Sequence, residues 1–119
     1  MMMFFRLKIR YLEKNTQVWL KNVIIEAKEG KKTFSYVGYS VGEKLASMLN
    51  VLSDKAFGYC QFQLFKCMDR KSIMRWCKQW IPHILRRIPK CEREKFFDGF
   101  IRCWHDCKLD IFGRRHESH

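Results

Sequence analysis

The sequence predicts an α+β domain in which an antiparallel sheet, ordered β-β-β-α-β, precedes a C-terminal helical hairpin. Three observations lead there. Apolar residues alternate with cations over residues 5–11, apolar and β-branched runs punctuated by turn residues follow as far as residue 39, and from Asp69 the apolar spacing lengthens to about 3.6 residues. With 119 residues, 47% of them hydrophobic and 15% aromatic, the chain can bury one core but not comfortably two. A single domain over 1–119 is therefore expected, with the sheet and one helix in 1–67, the helical hairpin in 68–110 and a basic tail in 111–119.

Taken in order, Phe5, Leu7, Ile9 and Tyr11 alternate with Arg6, Lys8 and Arg10, the period-two pattern of a strand with one buried and one basic face. "EKNT" reads as a turn, and "QVWLKNVIIEAK" (17–28), rich in Val, Ile and Trp, as a second strand. Gly30 in "EGKK" suits a hairpin turn, and "TFSYVGY" makes the third strand; such short connections require antiparallel pairing. Ser40 and Glu43 form the S-x-x-E pattern of a capping box ahead of Leu45, Met48, Leu49 and Leu52, which predicts a helix. "YCQFQLFK" alternates again and predicts a fourth strand. Asp69 then opens a helix with Ile73, Trp76, Cys77, Trp80, Ile81, Ile84 and Ile88 on one side, bent by Pro82 and stopped by Pro89. The last helix runs from about Glu92 to Leu109 with Phe96, Phe97, Phe100, Ile101 and Trp104 as its apolar face.

Charge narrows the class of partner. Twenty-four Lys and Arg against twelve Asp and Glu give a formal charge of +12, a potential that attracts nucleic acid, acidic proteins and anionic headgroups. Arg6, Lys8 and Arg10 interrupt the apolar N-terminus before a signal-peptide core could form, and no stretch approaches a bilayer span. An intracellular protein of the nucleus or cytoplasm is expected, with its cysteines reduced.

Residues 70–88 hold six cations and no acidic group. At about 100° per residue, Lys71, Arg75, Lys78 and Arg86 fall within an arc of roughly 80°, opposite the Trp76–Trp80–Ile84 stripe. Four cations on one face can follow a phosphate backbone and release counterions, so these residues are the leading candidates for nucleic-acid contact. Arg6, Lys8 and Arg10 offer a second basic row on a sheet face, which beside exposed aromatics would suit single-stranded RNA or DNA. The run "VIIEAKEGKKTFSYVGYSVGEKLASML", a hairpin followed by a Ser-led helix, resembles the second half of a double-stranded RNA-binding domain. That resemblance spans about a quarter of the chain and implies the same hairpin-then-helix fold. The chain departs from the family in having only Lys44 where a lysine cluster opens the helix, and Met and Leu where alanines pack.

"IRCWHDCK" (101–108) raises the question of a metal. On a helix Cys103 and Cys107 share a face while His105 lies about 200° from Cys103. An antiparallel hairpin turning near residue 90 would bring Cys77 beside Cys103. Cys77, Cys103 and Cys107 are thus the candidate zinc ligands, but a closed site needs a fourth, and buried thiols acting as small hydrophobes are the favoured reading. G-x-S-x-G, P-loop and H-E-x-x-H patterns are absent. The reading is a non-enzymatic regulatory protein that binds nucleic acid. The alternative is an adaptor docking an acidic protein or a second copy of itself, a class to which small size and high Trp and Cys content add a compositional resemblance to viral accessory proteins.

Overall fold

The computed structural model describes residues 2–51 and 68–106, and among them there is no strand. Helix α1 spans Met2–Asn15, α2 Gln17–Lys28 and α3 Phe34–Val51. After residues 52–67 come α4 (Arg70–Trp80), α5 (Pro82–Arg87), a 3-10 turn at Lys90–Glu92 and α6 (Arg93–Asp106). The expected α+β architecture is therefore wrong in its first three strands, and with them goes the hairpin of the resemblance to a double-stranded RNA-binding domain. The expected fourth strand, residues 59–66, and the tail lie outside the described residues.

The reason lies in which residues are buried. In α2 these are Leu20, Val23, Ile24 and Ala27, spaced i, i+3, i+4, i+7; its β-branched content suggested a strand, but tertiary packing of an apolar stripe outweighs intrinsic preference. In α1, Ile9, Leu12 and Glu13 turn inward, as does Thr16 just beyond it, while Leu7 and Tyr11, counted as the buried face of a strand, are each 58% exposed. The alternation over seven residues was too short a window to separate period two from period 3.6. The turn expected at "EKNT" shrinks to Thr16 alone and joins two helices: Thr16 Oγ1 donates to the Leu12 carbonyl at 2.7 Å, and α2 follows at once with Leu20 N bonded to Thr16 O at 2.7 Å. Such back-bonding satisfies the hydroxyl on its own chain while the direction changes between the two helices.

The capping chemistry explains the remaining boundaries. Gly30, at φ +80°, ends a helix instead of joining two strands. Its N–H reaches Ala27 O at 3.1 Å and that of Lys31 reaches Glu26 O at 2.9 Å, the paired bonds of a Schellman motif. Thr33, not Ser40, caps α3, accepting from Tyr36 N at 2.9 Å; Ser40 is buried in mid-helix. Asp69 caps α4 as the sequence indicates, its Oδ1 accepting from Ser72 N at 2.8 Å.

α3 and α6 touch backbone to backbone. A Cβ placed on Gly38 would lie 1.9 Å from Phe96 O, and one on Gly99 1.7 Å from Ser35 O. Gly42, one turn beyond Gly38, faces the Cys103 sulfur, 2.9 Å from where its own Cβ would sit. Gly38 and Gly42 are a G-x-x-x-G pair, the spacing that lets helices approach without side chains between them, familiar from membrane helices and used here at a covered face. Around this contact runs an aromatic chain: Trp76 stacks on Phe100 with centroids 6.3 Å apart, Phe100 on Phe96 at 6.2 Å, and Phe100 meets Trp104 edge-on at 5.8 Å.

The expected helical hairpin also needs correction. Arg70, the first residue of α4, bridges Glu94 at 2.7 Å and also pairs with Asp98 near the start of α6. Six residues on, Trp76 meets Phe100. The contacts therefore run in the same sense along both helices, not antiparallel. The physical cause is Pro82: it cannot continue the hydrogen-bond ladder of α4, so the chain turns there, and α5 with the 3-10 turn carries it back before α6 begins.

Candidate functional site

The face of α1 that carries Arg6, Ile9, Arg10 and Glu13 (i, i+3, i+4, i+7) meets the corner where α4 becomes α5. Gln79, Trp80, Pro82 and His83 close the other side of a partly open cleft of about 130 Å3. Arg6 lies over the Trp80 ring, its Cζ 5.0 Å from the centroid, a cation–π contact that keeps the guanidinium at the wall.

Glu13 forms the inner part of this cleft. It is only 6% exposed, and its Oε2 accepts from His83 N at 3.0 Å and Ile84 N at 3.2 Å. Two otherwise orphaned N–H groups at the start of α5 are thereby satisfied by a carboxylate seventy residues away, whose negative charge also suits a helix N-terminus. Among the described residues, Oε1 of Glu13 has no hydrogen-bond partner.

The basic stripe of α4 runs toward the end of the helix that lines the cleft, and none of its cations is among the lining residues. Lys71, Arg75 and Lys78 are exposed, opposite the buried Ile73, Trp76, Cys77 and Trp80. Gln79 falls about 40° round the helix from Arg75, between the stripe and the buried face. Arg86 is exposed on α5. Among the described residues none of these four cations makes an ion pair. The other two cations of residues 70–88 are committed to structure: Arg70 to α6, and Arg87 to Gln17 Oε1 at 2.6 Å.

Arg6 and Arg10 share one face of α1, and the structure brings these two against Gln79 and Trp80 at the end of α4. Position 8 falls on the other side of the helix, 200° from each of them; Lys8 therefore does not extend a row with Arg6 and Arg10 as it would on a strand, and its side chain lies outside the described residues. The sheet face that was to present them does not exist. Glu13, Gln79, Trp80 and His83 were not singled out for this cleft by the sequence, although the 6-9-10-13 spacing on α1 could have suggested a face once α1 was read as a helix.

Two of the cysteines among the described residues take core positions, and Cys91 is exposed. Cys77 and Cys103 are buried; burial in an apolar setting pushes the Cys77 thiol well above its ordinary value, which keeps it protonated and poorly suited to metal ligation or nucleophilic attack. Cys103 packs over Gly42, Cys107 lies outside the described residues, and His105 is exposed. Among the described residues no three His, Cys, Asp or Glu side chains gather as a metal site would require, and no helix is long and apolar enough to cross a membrane. Comparison with protein-family models, with curated proteins and with solved structures finds no match for this chain.

Proposed function

We propose that this protein is a non-enzymatic, intracellular regulator that binds nucleic acid, RNA or single-stranded DNA, through the basic surface of α1, α4 and α5. The observation that carries the reading is a cleft lined by two arginines of α1 and built against the two helices that carry exposed cations without an ion pair among the described residues. Arg6 and Arg10 of α1 line the cleft together with Gln79 and Trp80 of α4 and Pro82 and His83 of α5, helices that also carry the exposed Lys71, Arg75, Lys78 and Arg86, while the cleft's carboxylate, Glu13, is turned inward as a helix cap. A phosphate backbone crossing this surface would meet cations that are not already paired, so binding would release counterions and depend steeply on salt. Fluorescence anisotropy with labelled oligonucleotides across a salt series tests the proposal. Affinity that neither falls with salt nor changes when Lys71, Arg75, Lys78 and Arg86 become Gln would refute it.

An acidic protein partner, or a second copy of this chain, is the second reading. It is favoured by Leu7, Tyr11 and Val18, which are 58%, 58% and 76% exposed along α1 and α2, apolar surface that a partner could cover. Co-purification of a partner that survives nuclease treatment would support this reading over the first.

A further inference from the structure

We infer that the cleft between α1 and the α4–α5 corner receives one unpaired nucleobase, and that it selects a base presenting an amino group. The inference rests on the proposed nucleic-acid binding and names the form of nucleic acid that the cleft would read. Size comes first: about 130 Å3 is close to the roughly 150 Å3 that accommodates a benzene ring, so it admits a single ring of the cytosine class and excludes a base pair. The walls supply a stacking surface. Arg6 is exposed and held against Trp80 at 5.0 Å, so the outer face of its guanidinium is the plane on which a base would lie.

The chemistry of the floor supplies selectivity. Glu13 is nine-tenths buried, and its backbone-capping oxygen is occupied by His83 N and Ile84 N. The other oxygen, without a hydrogen-bond partner among the described residues, is an acceptor left for a donor that enters the cleft. A phosphate entering the cleft would meet a like charge there, whereas the exocyclic amino group of cytosine or adenine would donate to it. Gln79 and Arg10, on either wall, offer N–H donors for the carbonyl that cytosine carries beside its ring nitrogen. The phosphates then remain outside the cleft, for the exposed cations of α4 and α5 to meet.

The test is anisotropy of the full chain with fluorescein-labelled homopolymers of rC, rA and rU and a duplex of the same length, at one low salt concentration. The wild type is expected to bind rC at least about tenfold more tightly than rU, with rA between them and the duplex below rC. Glu13→Gln keeps an oxygen for the α5 cap and turns an N–H into the cleft, so it should reverse the preference in favour of rU. Should that variant fail a circular-dichroism check of folding, Gln79→Ala, an exposed substitution, is expected to narrow the rC-to-rU ratio. Equal binding of all three homopolymers and the duplex, with normal salt dependence, would overturn the base pocket and leave the proposed function standing. No salt-dependent binding to any of them would overturn both.

Discussion

Replacing Gly99 with alanine adds one methyl group, and in an isolated helix that change would stabilise by about 1 kcal/mol. Here the methyl would sit 1.7 Å from the Ser35 carbonyl oxygen and 2.9 Å from Tyr39 N, both backbone atoms that move only if α3 and α6 separate. Gly99→Ala is therefore expected to destabilise, by about 3 kcal/mol or more, at the upper end of what overpacking costs; urea denaturation decides the sign. Asp69 gives a residue-scale prediction about pH. The backbone N–H and hydroxyl of Ser72 hold its carboxyl below the ordinary value of 3.8. A depressed folded value means the cap stabilises fully above the unfolded value and loses its contribution as pH falls through the folded one. Asp69→Asn retains a capping oxygen without the charge, so its melting temperature should fall less than that of the wild type on acidification below pH 4. Asp69 was legible in the sequence because a cap acts on N–H groups two or three residues away. Gly30 was legible as a breaker, but whether it reverses a strand or ends a helix depends on the bonds its neighbours make.

At the level of elements, legibility divided along the chain. Ile73, Trp76, Cys77, Trp80, Ile81, Ile84 and Ile88 are all buried, as their 3.6 spacing indicates, and Pro82 and Pro89 stop helices where a missing N–H requires it. α1 and α2 were misread because β-branched residues and a seven-residue alternation were given more weight than the longer i, i+3, i+4, i+7 pattern that contains them. α5 is the element whose existence depends most on a distant residue. Six residues are too few for a helix to persist alone, and its first N–H groups are satisfied by Glu13 of α1. Glu13→Ala should cost about 1–3 kcal/mol through the unsatisfied donors. Hydrogen exchange should localise the effect, with faster exchange at His83 and Ile84 than at the amides of α6.

For the whole molecule, the charge of +12 matters less than its allocation. Arg70 and Arg87 fasten helices together, whereas Lys71, Arg75, Lys78 and Arg86 remain at the surface. If the four are phosphate contacts, changing them to Gln should lower the slope of log affinity against log salt by about 3 for single strands, at roughly 0.7 per contact. An unchanged slope would remove them from the interface. The same substitutions should barely alter stability, since they touch no buried group.

Amino-acid sequence alone determined the apolar faces of the C-terminal helices, the Asp69 cap and the proline breaks that bound them, and the cationic stripe opposite the tryptophans. These follow from interactions within one or two turns, or from the sum of charges. Only the tertiary structure decided that the first three elements are helices, that α6 passes α4 in the same sense, and that Arg6, Arg10 and Glu13 meet Gln79, Trp80 and His83. Those outcomes depend on how closely Gly38, Gly42 and Gly99 allow two helices to approach, and on a carboxylate and two N–H groups seventy residues apart. Neither leaves a local periodicity to read, because the partners are neighbours in space and not along the chain.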